Sequence, residues 1–220
     1  MIYVDPPFDL GDTLKGTDDD SNLINTHWEG AIFEFPDFDR TGSNIRSGKT
    51  RRSGQSMRAV CVRNTSGGSL TVASLALKFD LTPTQSLAVG TGDNTQANAN
   101  IAGRQIIGRV DAVSGGSNLW CGIGDDQLTS AVAANDLFWL VVGGPVLAKV
   151  PASQTIVYGD IVVSAASGYV AEVASGSDAA VLAEAVNVIG RALQQSDATN
   201  FDGSASGAGD LILIQACVNI

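Results

Sequence analysis

The stretch DAAVLAEAVNVIGRALQQ, residues 178–195, decides the fold class. Its Ala content favours a helix. Its second half argues otherwise: Val186, Val188 and Ile189 are β-branched, and an interior Gly such as Gly190 costs a helix roughly 1 kcal/mol relative to Ala. An echo elsewhere in the chain settles the reading. IIGRVDAVS (106–114) and VIGRALQQS (188–196) share an I-G-R core and a closing Ser. Residues 106–113 read as a strand, so 187–194 reads as a strand too, and 178–185 as loop or a short helical turn.

The rest of the chain reads the same way. Residues 28–35 (WEGAIFEF) form a strand candidate stopped by Pro36. Residues 37–57 read as a long polar loop. Residues 57–64 (MRAVCVRN) alternate apolar and polar, as a half-buried strand does. TSGGS (65–69) signals a turn and 70–79 (LTVASLALKF) a strand, which together predict a hairpin. Residues 80–103 are polar and turn-rich. Further strands are expected at 119–123, 137–142, 146–150, 161–164, 169–173 and 211–218, with Gly143, Gly144 and Pro145 ending the run LFWLVV. Residues 128–135 suit a short helix or a loop. Asp160 and Asp210 each follow a Gly and open an apolar run, a plausible turn into a strand. The sum is an all-β chain, a small β-barrel or β-sandwich.

Residues 1–27 differ from this body. They hold Pro6, Pro7 and the run TDDDSN, with sparse apolar residues and little periodicity. They read as an extended N-terminal arm that cannot bury a core alone, so a partner surface such as a neighbouring subunit is expected to order it. Residues 28–220 form the β-rich body, with a sub-boundary near 80–103.

Composition narrows the function classes. The 220 residues carry a net charge of −10, 44% hydrophobic residues and only 16% charged ones. That is too apolar for a wholly disordered chain. The longest uncharged, strongly apolar stretch, 137–148, falls short of the roughly 20 residues that a membrane helix needs, so no membrane association is expected. The start MIYVDPPFD has neither a basic segment nor a long apolar one, so no signal peptide is expected. The acidic balance argues against non-specific nucleic-acid binding. Cys61, Cys121 and Cys217 are widely spaced beside apolar runs and read as buried, inert thiols suited to a reducing compartment. His27 is the single histidine, too little for a zinc site or a convincing triad, and no G-x-S-x-G is present. Asp18, Asp19 and Asp20 lack the EF-hand spacing and read as a solvated charge run. No catalytic residue, metal site or cofactor is expected. Trp28 and Trp120 could form a sugar platform, whereas Trp139 inside LFWLVV reads as core.

Charge order is the remaining signal. Residues 1–39 hold ten acids and one Lys, net −9. Residues 40–63 hold seven basic residues and no acid: Arg40, Arg46, Lys49, Arg51, Arg52, Arg58 and Arg63. Residues 64–220 return to net −8. The basic block reads either as a solvated loop or as an electrostatic contact with an acidic surface, with Arg40, Arg46, Lys49, Arg51 and Arg52 as the contact candidates. The opposite signs of 1–39 and 40–63 would suit head-to-tail contact between copies.

Five stretches carry a family likeness: VRNTSGGSL (62–70); IIGRVDAVS with GIGDDQLT (122–129); NDLFWLVVGGPVLAKV (135–150); YGDIVVSAASGYV (158–170); and VIGRALQQS before a closing GDLILIQACV. In this order they resemble the capsid decoration (cement or head-fibre) proteins of tailed bacteriophages, over roughly residues 58–220. Residues 1–57 lie outside the likeness. It implies a non-enzymatic β-barrel module, made in the host cytoplasm and carried on the virion capsid surface. The implied partners are the major capsid protein and neighbouring copies of itself, as a homotrimer, with no direct nucleic-acid contact and no cofactor. Another part of the phage particle, at the head–tail joint, tail or fibre base, is the alternative. A carbohydrate-binding β-module is a more distant one.

Overall fold

The computed structural model describes residues 5–39, 50–80, 108–113, 120–151, 154–173, 188–193 and 210–217. Within them one sheet holds β1 (Ile32–Asp39), β2 (Thr50–Asn64), β3 (Ala76–Phe79), β4 (Arg109–Val113), β5 (Trp120–Gly124), β6 (Leu137–Val150), β7 (Ile161–Ser164), β8 (Val170–Glu172), β9 (Val188–Ala192) and β10 (Asp210–Cys217). Single 3-10 turns lie at Thr26–Trp28 and Ala166–Gly168. The fold is all-β.

The strand order is β1-β2-β4-β3-β5-β6-β10-β9-β7-β8, and β2 also pairs with β6. That extra pairing joins β2, β4, β3, β5 and β6 into a partly closed ring. The β2–β4 contact is parallel and the other four are antiparallel. Closure pairs edges that would otherwise be open to association.

β6 spans both halves of the sheet. Over Leu137–Gly143 it pairs with β2, and over Gly143–Val150 with β10. The sequence reading ended this strand at Val142, but it runs on through Gly143, Gly144 and Pro145. Two local features allow it. Arg58 faces Gly143 and Ala59 faces Val141, so Val142 is the extra residue of a bulge, and a bulge bends a strand without ending it. Gly144 then takes φ 93° with its α-carbon against the β2 backbone, where an added Cβ would lie 2.9 Å from the Met57 α-carbon. Only glycine meets both demands. The missing N–H of Pro145 falls just past the point where the strand changes partners.

Other expectations shift for similar reasons. β1 passes through Pro36 to Asp39 with a register break between Pro36 and Phe38, which an edge strand tolerates. The expected loop at 37–57 is therefore largely strand, apart from residues 40–49, which lie outside the described ones. TSGGS does turn the chain, but it makes no hairpin: β4 stands between β2 and β3, and Leu70 bridges Val132 instead. Turn chemistry marks where a strand stops and leaves its next neighbour open. Residues 128–135 form a loop rather than a helix. The strand expected at 187–194 is present as β9. Residues 178–185 and 81–107 lie outside the described residues.

Alternation along β2 and β6 feeds two apolar layers. Met57, Ala59 and Cys61 with Trp139 and Val141 face one way, into a cluster that continues through Ile212, Ile214 and Ile189. Val60 and Val62 with Phe138, Leu140 and Val142 face the other, with Leu77 and Val110. Arg63 follows in the phase of Ala59 and Cys61, and it is fully buried.

Candidate functional site

The N-terminal segment lies along the chain's own body. Phe8 stacks on Trp139 at 4.8 Å between ring centroids, and its carbonyl accepts the Trp139 Nε1–H at 3.1 Å. Leu10 is 2% exposed and belongs to the core. The Gly11 N–H donates to Asp125 Oδ2 at 2.5 Å, and the Gly16 N–H to Asp136 Oδ1 at 3.0 Å. Between them Leu14 and Leu137 exchange two backbone hydrogen bonds of 2.9 Å. The surface that orders this segment is thus the outer face of β6 and its flanking loops in the same chain. The segment is a strap rather than a free arm.

Arg63 fastens the strap. Its Nη1 donates to the carbonyls of Gly16 at 2.8 Å and Asn135 at 2.7 Å, and its Nη2 to the Ile24 carbonyl at 2.7 Å. Its Nε donates to Glu29 Oε1 at 2.5 Å. The other Glu29 oxygen accepts Arg109 Nε–H at 3.0 Å. All three side chains are nearly shut off from water, at 6% exposure or less. A planar guanidinium suits this role because its donors leave in a fixed fork. Arg63 thereby ties both ends of one strap turn, the segment leading into β1 and the loop before β6 to a single point. Arg109 arrives from β4, where Arg63 and Arg109 are parallel partners.

The two I-G-R copies now separate. Gly108 packs against the strap end, where an added Cβ would lie 2.7 Å from Glu29 Cβ. Gly190 similarly lets the β10 backbone approach at Gln215. Both glycines allow close backbone approach, but Arg109 is buried and Arg191 is exposed, with its Nη1 on the Gly159 carbonyl at 3.2 Å. Asn64, also fully buried, is saturated: Nδ2 donates to the carbonyls of Gly68, Val132 and Ala133, and Oδ1 accepts from Ser66. It shapes the TSGGS turn and joins it to the 132–133 loop.

Of the contact candidates, Arg40, Arg46 and Lys49 lie outside the described residues. Arg51 and Arg52 stand on β2, with their side chains outside the description. Arg58 is exposed and lies across from Glu34. Arg63, counted with the basic block in sequence, is an internal strut and adds no surface charge. The Glu29–Arg63–Arg109 node was not anticipated. Its signal was present: Arg63 occupies the apolar phase of MRAVCVR, where a charge must be paired.

Asp18 caps its own turn, accepting the N–H of Asp20 at 3.0 Å and of Asn22 at 2.7 Å, and the Asn22 side-chain amide at 3.0 Å. The Asn22 amide contributes most to holding the Asp18 carboxyl below its ordinary pKa. No group of three metal-ligating side chains occurs among the described residues. His27 is exposed beside Trp28. Trp28 is half-buried against Phe33, and Trp139 is core; the Trp120 side chain lies outside the description. Cys61 is buried, and burial pushes its thiol up to about 12. Cys217 is exposed, contrary to expectation, because it ends β10 on the outward phase. The Cys121 side chain lies outside the description.

No protein-family model matches the chain, and no curated protein matches it. Among solved structures it shows a likeness to the head fiber gp8.5 N base of bacteriophage phi29, with TM-score 0.34 and 14% identity, over 72% of this chain and 93% of that one. A likeness this weak bears on neither partner nor role.

Proposed function

We propose that this chain is a non-enzymatic structural component of a tailed-phage particle, which binds the outer surface of the capsid and stabilises it. The observation that carries the reading is the placement of the stretches that resemble decoration proteins. VRNTSGGSL supplies the end of β2 and its Asn64-shaped turn. NDLFWLVVGGPVLAKV contains all of β6, the strand shared by the ring and the outer sheet. VIGRALQQS and GDLILIQACV supply β9 and β10, which pair with each other. The likeness thus falls on the fold's frame, as suits a module whose task is mechanical. Its partner in this reading is the major capsid protein.

The test is the abundance and position of the chain in purified native particles, by quantitative mass spectrometry and electron microscopy. Many copies spread over the shell are expected. A single ring at one vertex would replace this reading with a joint or tail component, and absence from the particle would end it.

A further inference from the structure

Building on the proposed capsid binding, we infer that the chain meets the shell through the outward face of its outer sheet. Tyr158 is the anchor there, and Arg191 and Lys149 are the cations that meet carboxylates of the major capsid protein. Among the described residues four large apolar side chains are at least 40% exposed. Ile32 lies alone on β1, at one end of the strand order. The other three, Val157, Tyr158 and Ile161, fall within five positions where the chain enters β7, near the opposite end. Single exposed apolar residues are ordinary on a protein surface, whereas a contiguous group marks a contact site.

This group is held ready for a partner. The Asp160 N–H donates to the Val157 carbonyl at 3.1 Å, and the Val157 N–H to Asp160 Oδ2 at 2.6 Å, which closes a tight turn. The turn is also tied to β9: the Gly159 N–H donates to the Ala192 carbonyl and the Ala192 N–H to the Asp160 carbonyl, both at 2.9 Å. Tyr158 stands at its tip, 72% exposed. A rigid tip loses little freedom on docking, and a tyrosine ring offers a large contact area for two torsions. Arg191 is the ladder partner of Ile161, so both leave the same face of the sheet. Its Nη1 rests on the Gly159 carbonyl at 3.2 Å, which sets the guanidinium against the turn that carries Tyr158.

The charge of the face says what it fits. Ala148, Ile212 and Ile214 point into the core, and the alternate positions point outward. From Arg191 these run through Gln215 and Leu213 on β10 to Leu147 and Lys149 on β6, all four half-buried. Among the described residues the charged side chains in this phase are Arg191 and Lys149, and neither has an ion-pair partner there. The acids at the margin are turned onto the backbone, Asp160 onto the Val157 N–H and Asp126 onto the Leu147 N–H at 2.9 Å. Glu172 and Asp210 take the opposite phase, as partners of Val162 and Val150. In a chain of net charge −10, an apolar face whose own charges are both positive complements an acidic surface with an apolar recess. Tyrosine and arginine are also the residue types that carry much of the binding energy at interfaces.

The test is add-back of the purified chain to shells purified without it, read by co-sedimentation. The wild type should bind, and Y158S at least about 10-fold more weakly. R191Q/K149Q should bind more weakly with a flatter salt dependence. I32S removes the isolated apolar residue on β1 and should bind as wild type. Equal urea midpoints check that the variants are folded. A wild-type chain that does not bind would overturn the capsid-binding reading and this surface with it. Wild-type binding matched by both Y158S and R191Q/K149Q, or weakened as much by I32S as by Y158S, would overturn the surface alone. Hydroxyl-radical footprinting of the bound wild type needs no substitution: Tyr158 should be protected on the shell, and undiminished oxidation there would overturn the surface.

Discussion

Arg63 Nε meets Glu29 Oε1 at 2.5 Å with both side chains almost fully enclosed, and from this contact the strap, the ring and β1 are held in one arrangement. An internal ion pair of this kind adds little as a pair, because desolvation offsets the attraction. Its loss is another matter. Removing Arg63 takes a donor from the carbonyls of Gly16, Ile24 and Asn135 and from one oxygen of the nearly buried Glu29 carboxylate, and of these only Gly16 keeps a second donor among the described residues, the Ile24 N–H.

Arg63→Met should therefore cost about 3–5 kcal/mol of unfolding free energy, the range seen when one member of a buried pair is removed. Arg58→Ala, five positions earlier and exposed, should stay within ~0.5 kcal/mol. Urea unfolding of the two variants checks the contrast, and equal effects would show that Arg63 is not the strut described.

Gly16→Ala tests the strap separately. An added Cβ would overlap the Asn135 carbonyl oxygen and crowd Arg63 Nη1. Overpacking of this kind costs about 1–3 kcal/mol, and here the strap is the part that can move away. Limited proteolysis should cut within residues 5–27 faster in Gly16→Ala than in the wild type. Gly68→Ala, where an added Cβ meets nothing within 4 Å, is the control and should behave as wild type.

Cys61 gives a prediction in pH. Burial raises its thiol from 9.0 to about 12, so the folded chain holds this proton where the unfolded chain releases it. The resulting stability is complete below pH 9 and declines as pH rises from 9 towards 12. Cys61→Ala should lose that alkaline decline. At pH 8 a thiol reagent followed by mass spectrometry should label Cys217 on the native protein and Cys61 only after unfolding. Labelling of Cys61 in the folded state would contradict its burial.

The strap also changes how a truncation should be judged. Deleting residues 1–27 removes Leu10 from the core and the Gly16 and Ile24 carbonyls from Arg63. If the proposed capsid binding were lost in such a variant, the loss would report a damaged body as readily as a missing contact. Charge substitutions at Asp19 and Asp20 leave the core and the Arg63 node in place.

The strand content was legible because alternation and apolar runs are local. MRAVCVRN, LFWLVV and the two I-G-R copies each predict a strand, and each contributes one. Boundaries were less legible where glycine and proline have two readings. In GGP they read as a stop, yet the strand runs on, with a bulge at Val142 just before them and a close approach between backbones at Gly144, which the facing strand decides. Neighbours were not legible at all. TSGGS looks like a hairpin turn, but its flanking strands are separated by one from much later in the chain.

Local sequence signals were enough for an all-β chain and an uneven charge order. Folding is what laid residues 5–27 on their own body and brought Glu29 and Arg109 together with Arg63 from 34 and 46 positions away. The reason is physical. Hydrophobic period and turn chemistry act over a few residues. The partner of a buried charge is chosen by whichever distant segment can satisfy it once water has been excluded.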